Sequence, residues 1–266
     1  NSTIDTSSVM RHVRQLRDRF TNATMKDVNS WNKEHKITGK ASFINSNTIQ
    51  VNQQIYQAKN FILAVGSIPN INQEWKDELG ELLITSNEVF ELEKLPKRIA
   101  VLGSGVIAIE IAQAMQRLGV ETTVFARSRK VGSLSSPTLQ KLAQEIINQE
   151  IDIKYEILPD QLKKLGQHVA IQFTENGKPK EIQVDYVLNA TGRTSLLNTL
   201  DLERIDAKFI DLKNLPVNET SKQLGNFPIF IVGDAHSNTP IQHEAAHEGR
   251  KAVHNCLNFP EIDPIK

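Results

Sequence analysis

The stretch IAVLGSGVIAIE, residues 99–110, decides the fold of this chain. Four apolar residues before Gly103 predict a strand, and the apolar run after Gly105 predicts a helix. Gly103, Gly105 and Ala108 form a G-x-G-x-x-A pattern, in which the first glycine permits a tight turn and the second lets the main chain approach a pyrophosphate. The small third residue lets the helix pack closely on the strand, and the helix amino end attracts an anion. The stretch therefore predicts a dinucleotide-binding β-α-β unit.

The elements after this loop alternate between strand and helix. The sequence predicts a strand at residues 122–125 and then a helix with Ser136 and Pro137 in its N-cap and N1 positions. Three apolar side chains are expected to form the buried stripe of that helix, Leu139, Leu142 and Ile146. Further strands are predicted in IDIKYEI, VAIQFT and IQVDYVLNA. This order predicts an α/β fold with a parallel sheet covered on both faces and an antiparallel excursion attached.

The flanking parts of the chain carry shorter patterns. Residues 9–20 place Val9, Val13, Leu16 and Phe20 on one face of an amphipathic helix. Short strands separated by Asn and Gly turns are predicted between residues 36 and 64. A new unit is expected to begin after LPKR, residues 95–98, and a last strand at residues 229–232 precedes a final helix.

Composition excludes several classes of partner. The 266 residues include 31 Lys and Arg against 31 Asp and Glu, so no net field favours nucleic acid or an anionic membrane surface. No apolar run approaches the roughly 20 residues of a membrane helix. Cys256 is the single cysteine, which excludes an intrachain disulfide and favours a reducing, cytoplasmic setting. Small-molecule chemistry in a globular protein is the expectation.

The residues after the second strand bear on which dinucleotide is bound. A carboxylate at this position accepts hydrogen bonds from the ribose of NAD, whereas an arginine accommodates the 2′-phosphate of NADP. Arg127 lies 24 positions after Gly103 and is followed by Arg129 and Lys130, while no acid stands there. This charge favours NADPH; a solvated basic loop is the equally weighted alternative.

The stretch HEAAHEG, residues 243–249, offers a different chemistry. Two histidines one helical turn apart with a glutamate between them are typical of zinc peptidases. A catalytic zinc also needs a third protein ligand, and the extended peptidase pattern would place glycine and histidine where this chain has Arg250 and Val253. A zinc peptidase is therefore only a remote alternative.

Four motifs in order point to a known family. They are FILAVGSIP at residues 61–69, IAVLGSGVIAIE at 99–110, YVLNATGR at 186–193 and IFIVGDA at 229–235. Together they resemble the flavin-dependent pyridine nucleotide–disulfide oxidoreductases, and the sequence is most similar to bacterial dihydrolipoyl dehydrogenases. The resemblance implies two Rossmann-like domains, with an NAD(P) domain at 96–221 inserted into a partial FAD domain made of 1–95 and 222–266.

The resemblance also implies roles for particular residues. Ala41 would lie near the adenine of FAD, Val65, Gly66 and Ser67 would lie where the chain passes the flavin nucleotide, and Gly192 would line the nicotinamide side. Asp234, after Gly233, would accept hydrogen bonds from ribityl or ribose hydroxyls. Thr239 and Pro240 are residue types typical of the N-cap and N1 of the final helix. The resemblance implies that the first turns of this helix, with Gln242 and His243, face the flavin ring. Glu110 has a family counterpart that faces a lysine.

Three parts of the family's machinery do not occur in this sequence. They are the C-x-x-x-x-C redox pair, the first FAD phosphate loop and the His–Glu acid–base pair, so no catalytic residue is assigned here. The expectation is an internal piece of a homodimeric parent enzyme that oxidises dihydrolipoamide, with a lipoyl-bearing protein as its substrate. The chain alone would bind NAD(P)H weakly, hold FAD poorly and be inactive. An NADPH-dependent disulfide reductase and an NAD(P)H:acceptor flavoprotein remain open as alternatives.

Overall fold

The computed structural model describes residues 4–236 and 241–262. The helices are α1 Thr6–Ser30, α2 Gln73–Leu79, α3 Val106–Arg117, α4 Pro137–Ile147 and α5 Gln242–Asn258. The strands are β1 Ala41–Asn45, β2 Thr48–Val51, β3 Gln54–Gln57, β4 Phe61–Leu63, β5 Ser67–Pro69, β6 Leu83–Ile84, β7 Arg98–Leu102, β8 Glu121–Ala126, β9 Asp152–Tyr155, β10 Gln161–Leu165, β11 His168–Glu175, β12 Lys178–Val184, β13 Tyr186–Asn189, β14 Arg193–Ser195 and β15 Ile229–Ile231. The chain divides into two compact units, the first formed by residues up to 29 and 69–193, the second by 30–68 and those from 194 on.

The first unit is built on the predicted parallel sheet. Its strand order is β6-β13-β7-β8-β9, and every neighbouring pair is parallel. Leu102 pairs with Asn189 on one side and Phe125 on the other, so the carboxyl ends of β13, β7 and β8 are level. Helix α3 packs Ala108 and Ala112 into the core of this sheet because small side chains permit a close approach. The α/β fold with a parallel sheet is thus confirmed.

The antiparallel excursion is also confirmed, as the sheet β10-β11-β12. It buries apolar side chains against the parallel sheet, where Phe125 and Phe173 meet edge to face with ring centroids 5.1 Å apart. The segment IQVDYVLNA forms two strands rather than one, because the chain leaves β12 at Asp185 and enters the parallel sheet as β13. The carboxylate of Asp185 fixes this change by accepting the main-chain N–H of Lys97 at 2.6 Å and of Arg98 at 2.9 Å.

The predicted buried stripe of α4 is wrong. Leu139, Leu142 and Ile146 are 50%, 51% and 51% exposed. The inner face of α4 instead carries Gln140, whose side-chain amide bonds the main chain of Val131 and Leu134. A glutamine on the inner face satisfies main-chain groups of the preceding loop that an apolar side chain would leave unpaired.

The amphipathic face of α1 is buried over only part of its length. Met10 is buried, and Val9 and Val13 pack against the core of the first unit. Phe20, at 69% exposed, lies on the part of α1 beyond that contact. The stripe predicted from residue 9 to residue 20 is therefore buried at its amino-terminal end alone.

The second unit contains the predicted short strands. Strands β1, β2 and β3 form an antiparallel sheet, and β15 pairs in parallel with β4, with Ile231 opposite Leu63. Phe43 and Phe61 meet edge to face at 5.1 Å inside its core. Helix α5 packs on β15 and β4 through buried Ala252.

The compact units do not end where the sequence placed the domain boundaries. The predicted boundaries lie after residues 95 and 221, whereas the chain changes unit at 29/30, 68/69 and 193/194. Residues 69–95 join the first unit because β6 adds to the edge of the parallel sheet beside β13. Residues 194–221 join the second unit because Leu197, Leu202 and Phe209 are buried in its core.

Candidate functional site

Gly103 makes the turn at the end of β7. Its φ is +114°, and a Cβ at this position would lie 2.5 Å from the carbonyl oxygen of Ala190. Its own N–H is donated to the carbonyl of Phe125 at 2.9 Å. Both the left-handed backbone and the neighbouring main chain therefore require glycine here.

Gly105 and Ala108 meet different constraints. Gly105 is the N-cap of α3, with φ −70°, and a Cβ there would have no heavy atom of the described chain within 4 Å. Ala108 is fully buried, and the first turn of α3 carries no acidic side chain. The open space beside Gly105, at a helix amino end with unpaired N–H groups, is suited to a phosphate. Glu110 lies on the exposed face of α3, and its role stays a prediction.

The basic loop after β8 is hydrogen-bonded to the loop of Gly103 and Gly105. Ser104 donates its hydroxyl to the carbonyl of Lys130 at 2.6 Å, and its own carbonyl accepts the N–H of Gly132 at 2.7 Å. Arg127 and Arg129 are exposed on the same loop. The structure thus brings the predicted selectivity loop against the predicted phosphate loop.

Gly192 lies beside a small cavity at the carboxyl end of β13. Its φ is +134°, its carbonyl accepts the N–H of Asn70 at 3.0 Å, and the side-chain amide of Asn189 donates to the Asn70 carbonyl at 2.8 Å. The cavity is about 40 Å³, and its lining includes Ile107 from the first turn of α3. Cavities at such a strand end, where the chain switches direction across the sheet, are where α/β proteins bind ligands.

The second unit gathers polar groups at the ends of β4 and β15. Because these strands are parallel, the segments that follow them, Ser67 and Asp234 included, leave the sheet at the same edge. The hydroxyl of Ser67 lies 3.4 Å from a carboxylate oxygen of Asp234. The turns on both sides need glycine, since φ is +68° at Gly66 and +64° at Gly233.

A buried ion pair holds the Gly233 turn. Glu248 of α5 accepts the N–H of Gly233 on Oε2 at 2.7 Å, and its Oε1 lies 2.7 Å from the ammonium of Lys222. The two side chains are 8% and 12% exposed. A buried carboxylate with both a charge partner and a hydrogen-bond donor fixes the loop that presents Asp234.

Ala41 and Val65 line one cavity of the second unit. Its volume is about 200 Å³, and Phe43, Ile49 and Leu200 supply much of the remaining apolar wall. The structure therefore brings together two residues that the sequence linked only through a family resemblance. An apolar cavity of this kind is suited to a flat ring system.

Helix α5 does not assemble a metal site in the described chain. Gln242 and His243 occupy its first turn as predicted, after Ile241 as the N-cap, whereas Thr239 and Pro240 lie outside the described residues. His243 and His247 are exposed, and no group of three His, Cys, Asp or Glu side chains within 4–236 and 241–262 could hold a metal ion. The buried acid of HEAAHEG is Glu248, which serves the Gly233 turn.

Cys256 lies on α5 beside the small core formed by Phe230, Val232 and Ala252. Burial raises the pKa of its thiol. A raised pKa keeps the thiol protonated and unreactive at neutral pH.

A glycine loop between a parallel strand and a helix, with a Gly–Asp turn in a second unit, is typical of dinucleotide-binding proteins. The sequence profile described as "Pyridine nucleotide-disulphide oxidoreductase" matches residues 3–249. The chain therefore belongs to that family of FAD-dependent oxidoreductases, whose members bind FAD and NAD(P).

The similar curated proteins include mercuric reductases and dihydrolipoyl dehydrogenases. A mercuric reductase of Staphylococcus aureus is 32% identical over 84% of this chain and 41% of its own length. A dihydrolipoyl dehydrogenase of Staphylococcus aureus is 28% identical over 84% of this chain and 48% of its own length. A dihydrolipoyl dehydrogenase of Mycoplasma genitalium is 25% identical over 99% of this chain and 57% of its own length. The chain thus spans between 41% and 57% of the length of these relatives.

Solved structures agree in fold. LpdA of Mycobacterium tuberculosis superposes with a TM-score of 0.77 at 20% identity, over 100% of this chain and 59% of that one. The flavoprotein disulfide reductase RclA of Escherichia coli superposes with a TM-score of 0.70 at 18% identity, over 97% of this chain and 62% of that one. In the part of the chain that the structure describes, no helix combines the length and apolarity needed to cross a membrane.

Several supporting residues escaped the sequence analysis. Glu248, Ser104 and Asn189 bond main-chain groups distant in sequence. Lys222 pairs with the carboxylate of Glu248. Glu248 left a signal in its spacing, because it lies four residues before Ala252 and so shares the buried face of α5.

Proposed function

We propose that this chain carries the dinucleotide-binding part of a dihydrolipoyl dehydrogenase-like flavin oxidoreductase. The observation that carries the proposal is the loop of Gly103, Gly105 and Ala108, whose three positions meet the three requirements of a pyrophosphate site. The first compact unit would hold NAD(P)H at this loop, with Gly192 at the nicotinamide end. The second compact unit would contribute to holding FAD.

The proposed FAD contacts all belong to residues of the second unit. Asp234 would accept hydrogen bonds from ribityl or ribose hydroxyls, Ser67 and Gly66 would lie along the flavin nucleotide, and the cavity of Ala41 and Val65 would take the adenine. The first turn of α5, with Gln242 and His243, would direct its positive end towards the flavin ring, where it would stabilise negative charge. FAD, when bound, supplies the acceptor through which electrons pass between a dithiol and the nicotinamide.

The reaction of the whole protein is part of the proposal. A substrate dithiol would reduce an enzyme disulfide, the electrons would pass to FAD, and hydride would leave to NAD⁺. Cys256 is the single cysteine of the sequence, so this chain would supply the binding, orientation and electrostatics rather than the thiol chemistry. A homodimeric enzyme acting on a lipoyl-bearing protein is the proposed setting, and the chain alone would be inactive.

A second candidate function is the reverse electron transfer, from NADPH to an acceptor. Arg127 at the end of β8 favours a 2′-phosphate and hence an NADPH-dependent reductase of a disulfide or of another acceptor. The relatives named mercuric reductase support a reductase of this kind. Arg127→Gln would then weaken NADPH binding and leave NADH binding unchanged.

Titration of this chain with NADH and NADPH, by calorimetry, tests the proposal. Saturable binding of at least one cofactor, weakened by Gly105→Ala, is the expected result. Failure of both cofactors to bind at millimolar concentration would overturn it. Gel filtration after mixing with FAD is expected to strip the flavin, and stoichiometric retention would contradict the prediction that the chain alone holds FAD poorly.

A further inference from the structure

The loop that follows β8 carries an ion pair with the end of the neighbouring strand. Strands β8 and β9 are parallel and Ala126 is opposite Tyr155, so Arg127 and Glu156 come directly after two paired residues. The Nε of Arg129 donates to the Oε2 of Glu156 at 3.1 Å, and both side chains are exposed, at 69% and 60%.

The backbone holds both ends of this pair in place. Glu156 adopts a left-handed conformation with φ +59°, and the next N–H, of Ile157, is donated to the carbonyl of Ala126 at 3.2 Å. In the loop after β8, the carbonyl of Arg129 accepts a hydrogen bond from the side-chain amide of Gln144 of α4. The main chain of both residues is therefore anchored, which keeps their side chains within reach of each other.

The same loop is joined to the phosphate loop. Ser104, between Gly103 and Gly105, bonds the carbonyl of Lys130 and the N–H of Gly132. A dinucleotide seated at the glycine loop would thus meet this loop with its adenosine ribose, whose 2′ position distinguishes NADP from NAD.

We propose that Glu156 is a selectivity residue of the dinucleotide site, acting through Arg129. The inference rests on the proposed function. Seen from sequence alone, Arg127, Arg129 and Lys130 form a cationic loop without an acid. In the structure, an acid directly after the next strand binds Arg129, so an incoming 2′-phosphate must compete with this carboxylate for the guanidinium. An unpaired or repelled charge discriminates against the ligand that causes it.

The test compares NADH and NADPH affinities of Glu156→Gln with those of the unmodified chain. Glutamine keeps the length and shape of the side chain at a backbone position with positive φ. The dissociation constant for NADPH is expected to fall by about threefold to tenfold, as for one exposed charge near another, and that for NADH to change by less than about twofold. Glu150→Gln is the matched control, because Glu150 forms a similar exposed pair with Arg117 on the same unit.

A double-variant cycle assigns the effect to the ion pair. If Glu156 acts through Arg129, adding Glu156→Gln to Arg129→Gln gives no gain in NADPH affinity over Arg129→Gln alone. A gain that persists in the double variant overturns that route. An unchanged NADPH-to-NADH ratio in Glu156→Gln, with both cofactors still binding, overturns the inference but not the proposed function. Absence of any cofactor binding to the unmodified chain overturns both.

Discussion

Glu248 accepts the main-chain N–H of Gly233 at 2.7 Å, which ties the middle of α5 to the turn after β15. Position 233 favours glycine, because its φ is +64° and a Cβ there would lie 3.2 Å from the Cβ of Ala245. The carboxylate is buried, and the ammonium of Lys222 balances its charge. The conformation of the Gly–Asp turn therefore depends on a residue of the HEAAHEG stretch.

Glu248→Ala is expected to destabilise the second unit. It leaves the ammonium of Lys222 buried without a partner and the N–H of Gly233 without an acceptor, which costs about 3 kcal/mol in comparable sites. Urea denaturation followed by circular dichroism measures the change. Lys222→Met should restore part of the stability that Glu248→Gln loses, because the combined variant has no unpaired charge. A double variant less stable than Glu248→Gln alone would contradict the ion-pair account.

Alanine substitutions at the two glycines of the phosphate loop are expected to have different effects. Gly103→Ala forces a Cβ against the Ala190 carbonyl at φ +114° and should cost about 2–4 kcal/mol of stability. Gly105→Ala meets open space at φ −70°, so the melting temperature should stay within a few degrees while NAD(P)H binding weakens. Thermal melts and calorimetric titrations distinguish the two; an unstable Gly105→Ala would show that this glycine is structural.

The stability contributed by Asp185 is expected to depend on pH. Burial alone would raise the pKa of this carboxyl, but the N–H groups of Arg98 and Lys97 and the contact with His168 hold its pKa below the ordinary 3.8. A group whose folded pKa is depressed stabilises the protein above its unfolded pKa and loses that stabilisation as the pH falls through the folded value. Asp185→Asn should therefore cost about 1–3 kcal/mol at pH 7, and the difference should shrink as the pH falls below about 4.

Denaturation of the two proteins at several pH values measures this difference. Asp160→Asn, an exposed carboxylate on the same antiparallel excursion, is the control. A difference between Asp185→Asn and the unmodified chain that stays constant down to acid pH would contradict the assignment.

Polar substitution on the outer face of α4 is expected to be tolerated. Leu142 is 51% exposed, so Leu142→Gln should change the free energy of unfolding by less than about 0.5 kcal/mol. Ile147 of the same helix packs against the core of the first unit, and Ile147→Gln should cost more than about 1 kcal/mol. Chemical denaturation compares the two; equal losses would mean that the outer face is covered.

The parallel sheet and the phosphate loop could be predicted because their signals are local. Strand, glycine turn and helix follow one another within residues 99–110, and Gly103 is required by its own φ of +114°. The stripe of α4 was predicted wrongly because periodicity identifies an apolar face but not the surface opposite it. Gln140 took the inner position through hydrogen bonds to Val131 and Leu134 that no pattern reveals.

The sequence by itself determined the α/β fold, the glycine loop, the order of the family motifs and the positive charge after β8. Only the tertiary structure decided which acid meets that charge, since Glu156 follows β9 and lies 27 residues after Arg129. It also decided that Glu248 rather than Glu244 is the buried acid of α5, and that residues 69–95 belong with the parallel sheet. Contacts between residues far apart in sequence depend on strand pairing and burial, which local patterns do not specify.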